Sequence, residues 1–300
     1  MGKQPATLRV MVKKTSQPAV PISGPDLRRY LETQDDFAFE VEAYRHAIGF
    51  GFKSSHGGMY DDTKTNKRRQ YDVRASFELA NKKIHLAIEC KSLDPTYPLL
   101  VQRVPRPRDE SFHEVMQPRE SPAPPMGTSS EPPGWMGAGL FKMFGTHLYD
   151  SQQLVGKSLK RVKVDANGFT AADSDIYDKY TQALSSMDEV VKSAAVALRA
   201  RSANTLSWAF LPILVVSDAA LWVADYAASG QLIGDPRPEP DETTFYLGWD
   251  YELHNVFDPI RPATFTVSHF HIMTRRRLPK FLEEIQQAGG IWDQLFGGLA

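Results

Sequence analysis

The chain has a single cysteine, Cys90, in 300 residues. One thiol excludes an intramolecular disulfide and argues for a reducing compartment. A long hydrophobic run is also missing. The longest, "WAFLPILVV" from Trp208 to Val216, falls far short of the ~20 residues that span a bilayer. The opening "MGKQPATLRVMVKK" contains no apolar core of signal-peptide length, and Ala6 stands where a myristoylation signal wants Ser or Thr. A cytoplasmic location without membrane contact is therefore expected. There is no excess of either charge: the formal net charge of −1 provides no global field to draw in nucleic acid. What remains is ordinary for a globular chain, with 42% hydrophobic and 24% charged residues. Its length suffices for a sizeable core, read here as one domain over residues 1–300.

The positive charge that is present is clustered. "KTNKRR" (Lys64 to Arg69, with Arg68 and Arg69), "RVPRPR" (Arg103 to Arg108), "KSLKRVK" (Lys157 to Lys163) and "RRR" (Arg275 to Arg277) stand out. Such clusters neutralise phosphates locally, although solvated surface charge explains any one of them about as well. The first two flank the most informative stretch, "RQYDVRASFELANKKIHLAIECKSL", from Arg69 to Leu93.

This stretch reads as two strands. With a period of two, Ile84, Leu86, Ile88 and Cys90 share one face, and His85, Ala87, Glu89 and Lys91 share the other. In the first strand Tyr71, Val73, Ala75 and Phe77 oppose Asp72, Arg74 and Ser76. Asn81-Lys82-Lys83 reads as the hairpin turn between them. The expectation is an antiparallel pair with a dry face and a polar face, with Asp72, Glu89 and Lys91 together on the polar one.

Two carboxylates and a lysine at the end of a strand pair suit phosphodiester hydrolysis. That reaction needs hard oxygen ligands to hold Mg²⁺, or Mn²⁺ in its place, against a phosphate, and a cation near the developing charge. Asp72, Glu89 and the backbone carbonyl of Cys90 are candidate ligands. Lys91 would orient or deprotonate the attacking water, or stabilise the transition state, and would pair with the carboxylates when metal is absent. The Cys90 side chain is expected in the core, not as a catalytic thiol.

At these residues the chain resembles the PD-(D/E)xK, or restriction-endonuclease-like, nuclease superfamily, through Asp72 in "QYDVRA" and Glu89-Cys90-Lys91 in "IECKSL". Tyr71 replaces the proline of the family's name. An E-x-K triplet alone is a weak signal, and its weight here comes from the apolar strand before it and the aspartate one strand earlier. The resemblance implies a further acid from a preceding helix, "FEVEAYRHAIGFGF" (Phe39 to Phe52), with Glu40 the nearer counterpart and Glu42 an alternative. It also implies a mixed central sheet flanked by helices in the order αβββαβ. Lys179 and Gln182 share a face of the long helix expected from Asp175 to Ala200, and related nucleases use such positions to touch phosphate or water. The implied activity is Mg²⁺-dependent cleavage of nucleic acid, DNA before RNA, in restriction, phage defence or repair, with a homodimer or a larger defence or repair assembly as the expected partners. The rival reading is a non-catalytic binding or assembly protein that retains the fold.

Elsewhere, "HGGMYDD" places His56 and Tyr60 in a loop before the Asp72 strand, where two glycines allow close approach to a ligand. Both residues are secondary site candidates. Residues 107–139 hold "RESPAPPMGTSSEPPGWMGAG" and read as a long mobile insertion. "VGKS" at Val155 to Ser158 lacks the glycine that a phosphate-binding loop needs at position 151. "SHFH" puts His269 and His271 on one side of a strand, read as a polar strand face in preference to a metal site.

Overall fold

The computed structural model describes residues 21–33, 36–63, 65–120, 136–166, 168–199, 206–254 and 262–297. Its helices are α1 (Gly24–Thr33), α2 (Phe37–Gly49), α3 (Ser174–Arg199), α4 (Arg277–Gln286) and α5 (Ile291–Phe296). The first half of its strands comprises β1 (Lys53–His56), β2 (Met59–Asp62), β3 (Lys67–Gln70), β4 (Val73–Leu79), β5 (Lys82–Lys91), β6 (Leu99–Pro105) and β7 (Phe112–Glu120). The second half comprises β8 (Met136–Phe144), β9 (Leu154–Asp165), β10 (Gly168–Ala172), β11 (Ser207–Val216), β12 (Leu221–Asp225), β13 (Arg237–Pro238), β14 (Glu242–Leu253) and β15 (Ala263–Thr274).

The fold is mixed α/β. One large mixed sheet runs β1-β4-β5-β11-β15-β14-β9-β6-β12-β13, with β7, β8 and β10 attached, and β2–β3 stands apart as a two-stranded hairpin. β4 pairs antiparallel with β1 and β5, whereas β5, β11 and β15 run parallel. The elements α2, β1, β4, β5, α3 and β11 follow one another in the expected αβββαβ order, with β2–β3 and β6–β10 interposed.

β5 is buried on both sides. Ile84, Leu86, Ile88 and Cys90 pack with residues of α2, α4 and α5. On the other side Ala87 packs under α3, and His85 is stacked against Trp208 and Phe210. The expected solvent-facing polar side is therefore covered. A central strand with a parallel neighbour is covered by helices on both faces, and α3 supplies the second cover. Its apolar positions recur at helical spacing: Ile176, Ala183, Leu184, Met187, Val191, Ala194 and Leu198 are all buried. Each large one contributes ~1.5–3 kcal/mol, so Leu184→Ala would cost ~2–5 kcal/mol. Residues of β6, β9 and β12 (Leu99, Leu159, Leu221) join the same cluster, so the sheet curls around α3.

The β4–β5 turn is shorter than expected. Leu79 pairs with Lys82, which leaves Ala80-Asn81 as the loop. Ala80 adopts φ 54°, a left-handed conformation costing ~1–2 kcal/mol. The cross-strand pairing of Phe77 with Ile84 sets this register, so Lys82 and Lys83 belong to the strand.

Within the expected 107–139 insertion, residues 112–120 and 136–139 lie in paired strands, and Phe112, Val115 and Met116 are buried. Those residues belong to the core; 121–135 lie outside the described residues. "VGKS" lies within β9 and forms no loop around a phosphate. His269 and His271 are each 1% exposed. Tyr149 covers them, stacking on His269 at 3.9 Å and hydrogen-bonding His271 Nε2 at 2.8 Å. This covered cluster replaces the expected polar strand face. Among the described residues no helix is long and apolar enough to cross a membrane.

Candidate active site

Asp72 sits in the bend leading into β4, opposite Glu89 near the end of β5. Their link is direct: the Asp72 amide donates to Glu89 Oε1 at 3.3 Å, and the Cys90 amide donates to Asp72 Oδ2 at 2.8 Å. Strand pairing thus brings two carboxylates together at a buried position, with Asp72 5% and Glu89 1% exposed. Glu89 Oε2 makes no hydrogen bond although it is enclosed.

The cation against this pair is Lys179, not Lys91. Lys179 Nζ lies 2.8 Å from Asp72 Oδ2 and 3.6 Å from Glu89 Oε2. Burial disfavours its charge, but the two carboxylates outweigh burial and raise its proton affinity above the ordinary lysine value. Lys91 turns away from the pair. Its Nζ lies 3.0 Å from Asp36 Oδ2, while Asp36 Oδ1 accepts the Ser92 amide at 2.6 Å. The expectation that Lys91 approaches Asp72 is thereby corrected. Asp36, just before α2, takes Lys91, and Lys179 from α3 takes the place beside the acids.

Burial, reinforced by Asp72, raises the Glu89 carboxyl well above the usual range. Glu40 is raised by the same two causes, burial first, against lowering by Lys179 and His56. Glu40 therefore stands within the electrostatic reach of Asp72, and its Oε2 lies 3.2 Å from His56 Nε2. Glu42, two residues on, points to the opposite side of the helix and pairs with Arg275. The choice between the two helix acids falls on Glu40. The Cys90 thiol is fully buried and pushed up by burial, Asp72 and Glu89, which keeps it a protonated core side chain.

The secondary candidates divide. His56 contacts Glu40 and lies against Phe37 and Tyr44, so it borders the site. Tyr60 is buried and donates to the Gln182 carbonyl at 3.4 Å. The Gln182 amide donates to the Gln70 carbonyl. Both residues fasten the β2–β3 hairpin to α3. Arg69 is paired with Asp62 at 3.0 Å, and Arg68 is exposed along a groove of about 680 Å³ between that hairpin and α3. The glycines of "HGGMYDD" serve the protein's own chain. The Gly57 amide donates to the Asp72 carbonyl, and a Cβ on Gly58 would lie 2.1 Å from the Tyr71 hydroxyl. Asp36 and Arg74 were not legible as site residues. Arg74 lies over the Tyr71 ring at 4.2 Å and donates to the Ser186 carbonyl, which holds α3 against β4.

Among the described residues no group of three or more His, Cys, Asp or Glu side chains converges as a preformed metal cage. The donor set nevertheless fits Mg²⁺, which retains most of its waters and takes one or two carboxylates besides substrate phosphate. Asp72 and Glu89, whose Oε2 makes no hydrogen bond among the described residues and has Lys179 Nζ at 3.6 Å, provide those carboxylates.

Fold and site together define a mixed α/β protein with a buried acid pair at the end of its central strands. No family model, no curated protein and no solved structure matches the chain.

Proposed function

We propose that this protein is a Mg²⁺-dependent nuclease of the PD-(D/E)xK type that hydrolyses phosphodiester bonds in DNA. One observation carries the reading: Asp72 and Glu89 are held together, buried, with an oxygen of Glu89 left without a hydrogen bond. Enclosing two carboxyls with one lysine between them carries a desolvation cost on the order of several kcal/mol. A fold retains such a cost where the site does chemistry. The αβββαβ order supports the same reading.

Asp72, Glu89 and the Cys90 carbonyl would hold the metal, with Glu40 contributing from α2. Bound Mg²⁺ supplies Lewis acidity and lowers the pKa of a coordinated water. In its absence Lys179 balances one of the two acids, with Glu89 held toward its protonated form by burial and Asp72, and Lys179 is freed toward phosphate when they are otherwise engaged. Lys91, held by Asp36 at the rim, would orient the attacking water or stabilise charge on the phosphate. His56 would steady Glu40. The Lys179 bridge is also what a non-catalytic relative would rely on to keep its acids neutral, so activity must decide. Plasmid DNA incubated with the protein in Mg²⁺, Mn²⁺ or EDTA should be cut only with metal, and not by Asp72→Ala/Glu89→Ala. No cutting by the intact protein under any of these conditions would favour the non-catalytic reading.

A further inference from the structure

The β9–β10 hairpin carries a feature that the acid pair does not use. β10 pairs with β9 alone, and Phe169 lies directly opposite Val164. Phe169 is 82% and Val164 68% exposed. Strand alternation puts Lys160 and Val162 on their face. "KSLKRVK", which contains four basic residues and no acid, forms most of β9. Lys157 and Arg161 are ion-paired, to Glu110 and Asp175, whereas among the described residues no ion pair engages Lys160 or Lys163. Asp165 and Asp173 are the exposed acids of the ribbon, and Asp165 accepts the Thr170 hydroxyl at 3.5 Å.

The base of this ribbon is tied to the acid-pair rim. Arg161 Nη1 lies 2.8 Å from Asp175 Oδ2, and its Nε donates to the Tyr97 carbonyl at 3.3 Å. Asp175 precedes Lys179 on α3 by one helical turn, so the ribbon is anchored on the same helix that carries the lysine of the acid pair.

We propose that the β9–β10 ribbon is a duplex-DNA contact arm. Phe169 and Val164 enter the major groove against thymine methyls and base edges, and Lys160, on the same face, meets a flanking phosphate; Lys163 lies on the opposite face, over the Tyr97 ring at 5.7 Å. A two-stranded ribbon fits that groove. Two exposed side chains, one on each strand of the ribbon, cannot bury the ~1,000 Å² that a stable contact with a second copy needs, and Lys160 beside them, in no ion pair among the described residues, favours a polyanion. The assignment rests on the nuclease reading for its substrate.

The test uses the full chain, a short labelled duplex, and Ca²⁺ in place of Mg²⁺. Val164→Ser/Phe169→Ser should weaken duplex binding by about tenfold or more, with unchanged melting temperature and Mn²⁺ affinity. Lys160→Ala should reduce the slope of log affinity against log salt by about 1. Duplex binding at the intact level by both variants overturns the arm, as does an intact protein that binds no duplex. A shift in sedimentation of the Phe169 variant at unchanged DNA affinity overturns it in favour of self-association. The two readings separate: ribbon-dependent binding without plasmid cleavage removes the nuclease, and cleavage with ribbon-independent binding removes the arm.

Discussion

Lys91 Nζ lies 3.0 Å from Asp36 Oδ2, which ties the end of β5 to the start of α2. The lysine of the "ECK" triplet is thus held by a residue more than fifty positions earlier and not by the acids beside it. Lys91→Ala should lower cleavage by ~10²–10⁴-fold, the range of a proton-transfer or water-orienting group. The ion pair is largely covered, its side chains 22% and 14% exposed, so leaving Asp36 without its lysine should cost about 1–3 kcal/mol while the fold persists. Lys91→Arg should rescue little, since a planar guanidinium does not replace a compact ammonium. Asp36→Asn should lower kcat and leave KM unchanged, because it acts through Lys91. Full activity of Lys91→Ala in steady-state assays would remove the lysine from the chemistry.

Glu89 links metal binding to protons. Its folded proton affinity is raised by burial and by Asp72, so the carboxyl must release a proton to bind metal. Calorimetry with Mn²⁺ in buffers of different ionisation enthalpy should show proton release and an affinity that falls as pH falls. Asp72→Ala/Glu89→Ala should bind none; equal binding by both proteins would remove the site.

The same residue sets a stability penalty. A carboxyl with a raised folded pKa favours the fold at low pH, and that advantage is lost as pH rises from the unfolded value through the folded one. Glu89→Gln should therefore melt higher at neutral pH, by about 2–4 °C for each kcal/mol relieved, while metal binding is lost. A lower melting temperature would show that Lys179 already offsets the charge in full.

Four enclosed histidines should make the fold acid-labile. Burial is the first cause in each case; it lowers His113, and it takes His85 to about 3, His269 to about 2 and His271 to about 4. The unfolded chain binds protons near pH 6.5 that the folded chain refuses, so stability is present above that pH and falls below it. Each histidine adds ~1.4 kcal/mol per pH unit to the slope. Denaturant titrations between pH 6.5 and 4.5 should show the decline, and His85→Phe, which retains the stack on Trp208, should lessen it by one histidine's share.

Gly58→Ala should injure the site from a distance. The added Cβ would meet the Tyr71 hydroxyl, which hydrogen-bonds Ser55 at 2.9 Å and precedes Asp72. Overpacking of this kind costs ~1–3 kcal/mol. Metal affinity should fall along with stability; an unchanged melting temperature and affinity would show that Tyr71 moves without taking Asp72 along.

By itself, the sequence determined the relationships that depend on near neighbours. Asp72 and Glu89 face one another because a period of two and a tight turn leave a hairpin few registers. Cys90 is buried because its face is apolar, and the succession of helices and strands follows from hydrophobic periodicity. Tertiary structure decided the rest. Helix α3, from ninety residues downstream, covers the face that looked polar and delivers Lys179 to the acids. Helix α2 presents Glu40 to them, turns Glu42 toward Arg275 and takes Lys91 with Asp36. The β7–β8 pairing drew part of a Pro/Gly-rich segment into the core. Alternation along a strand states which side chains share a face. It does not state what will be packed against that face, because burial and ion pairing depend on chain segments that meet only when the whole sheet has closed around its helix.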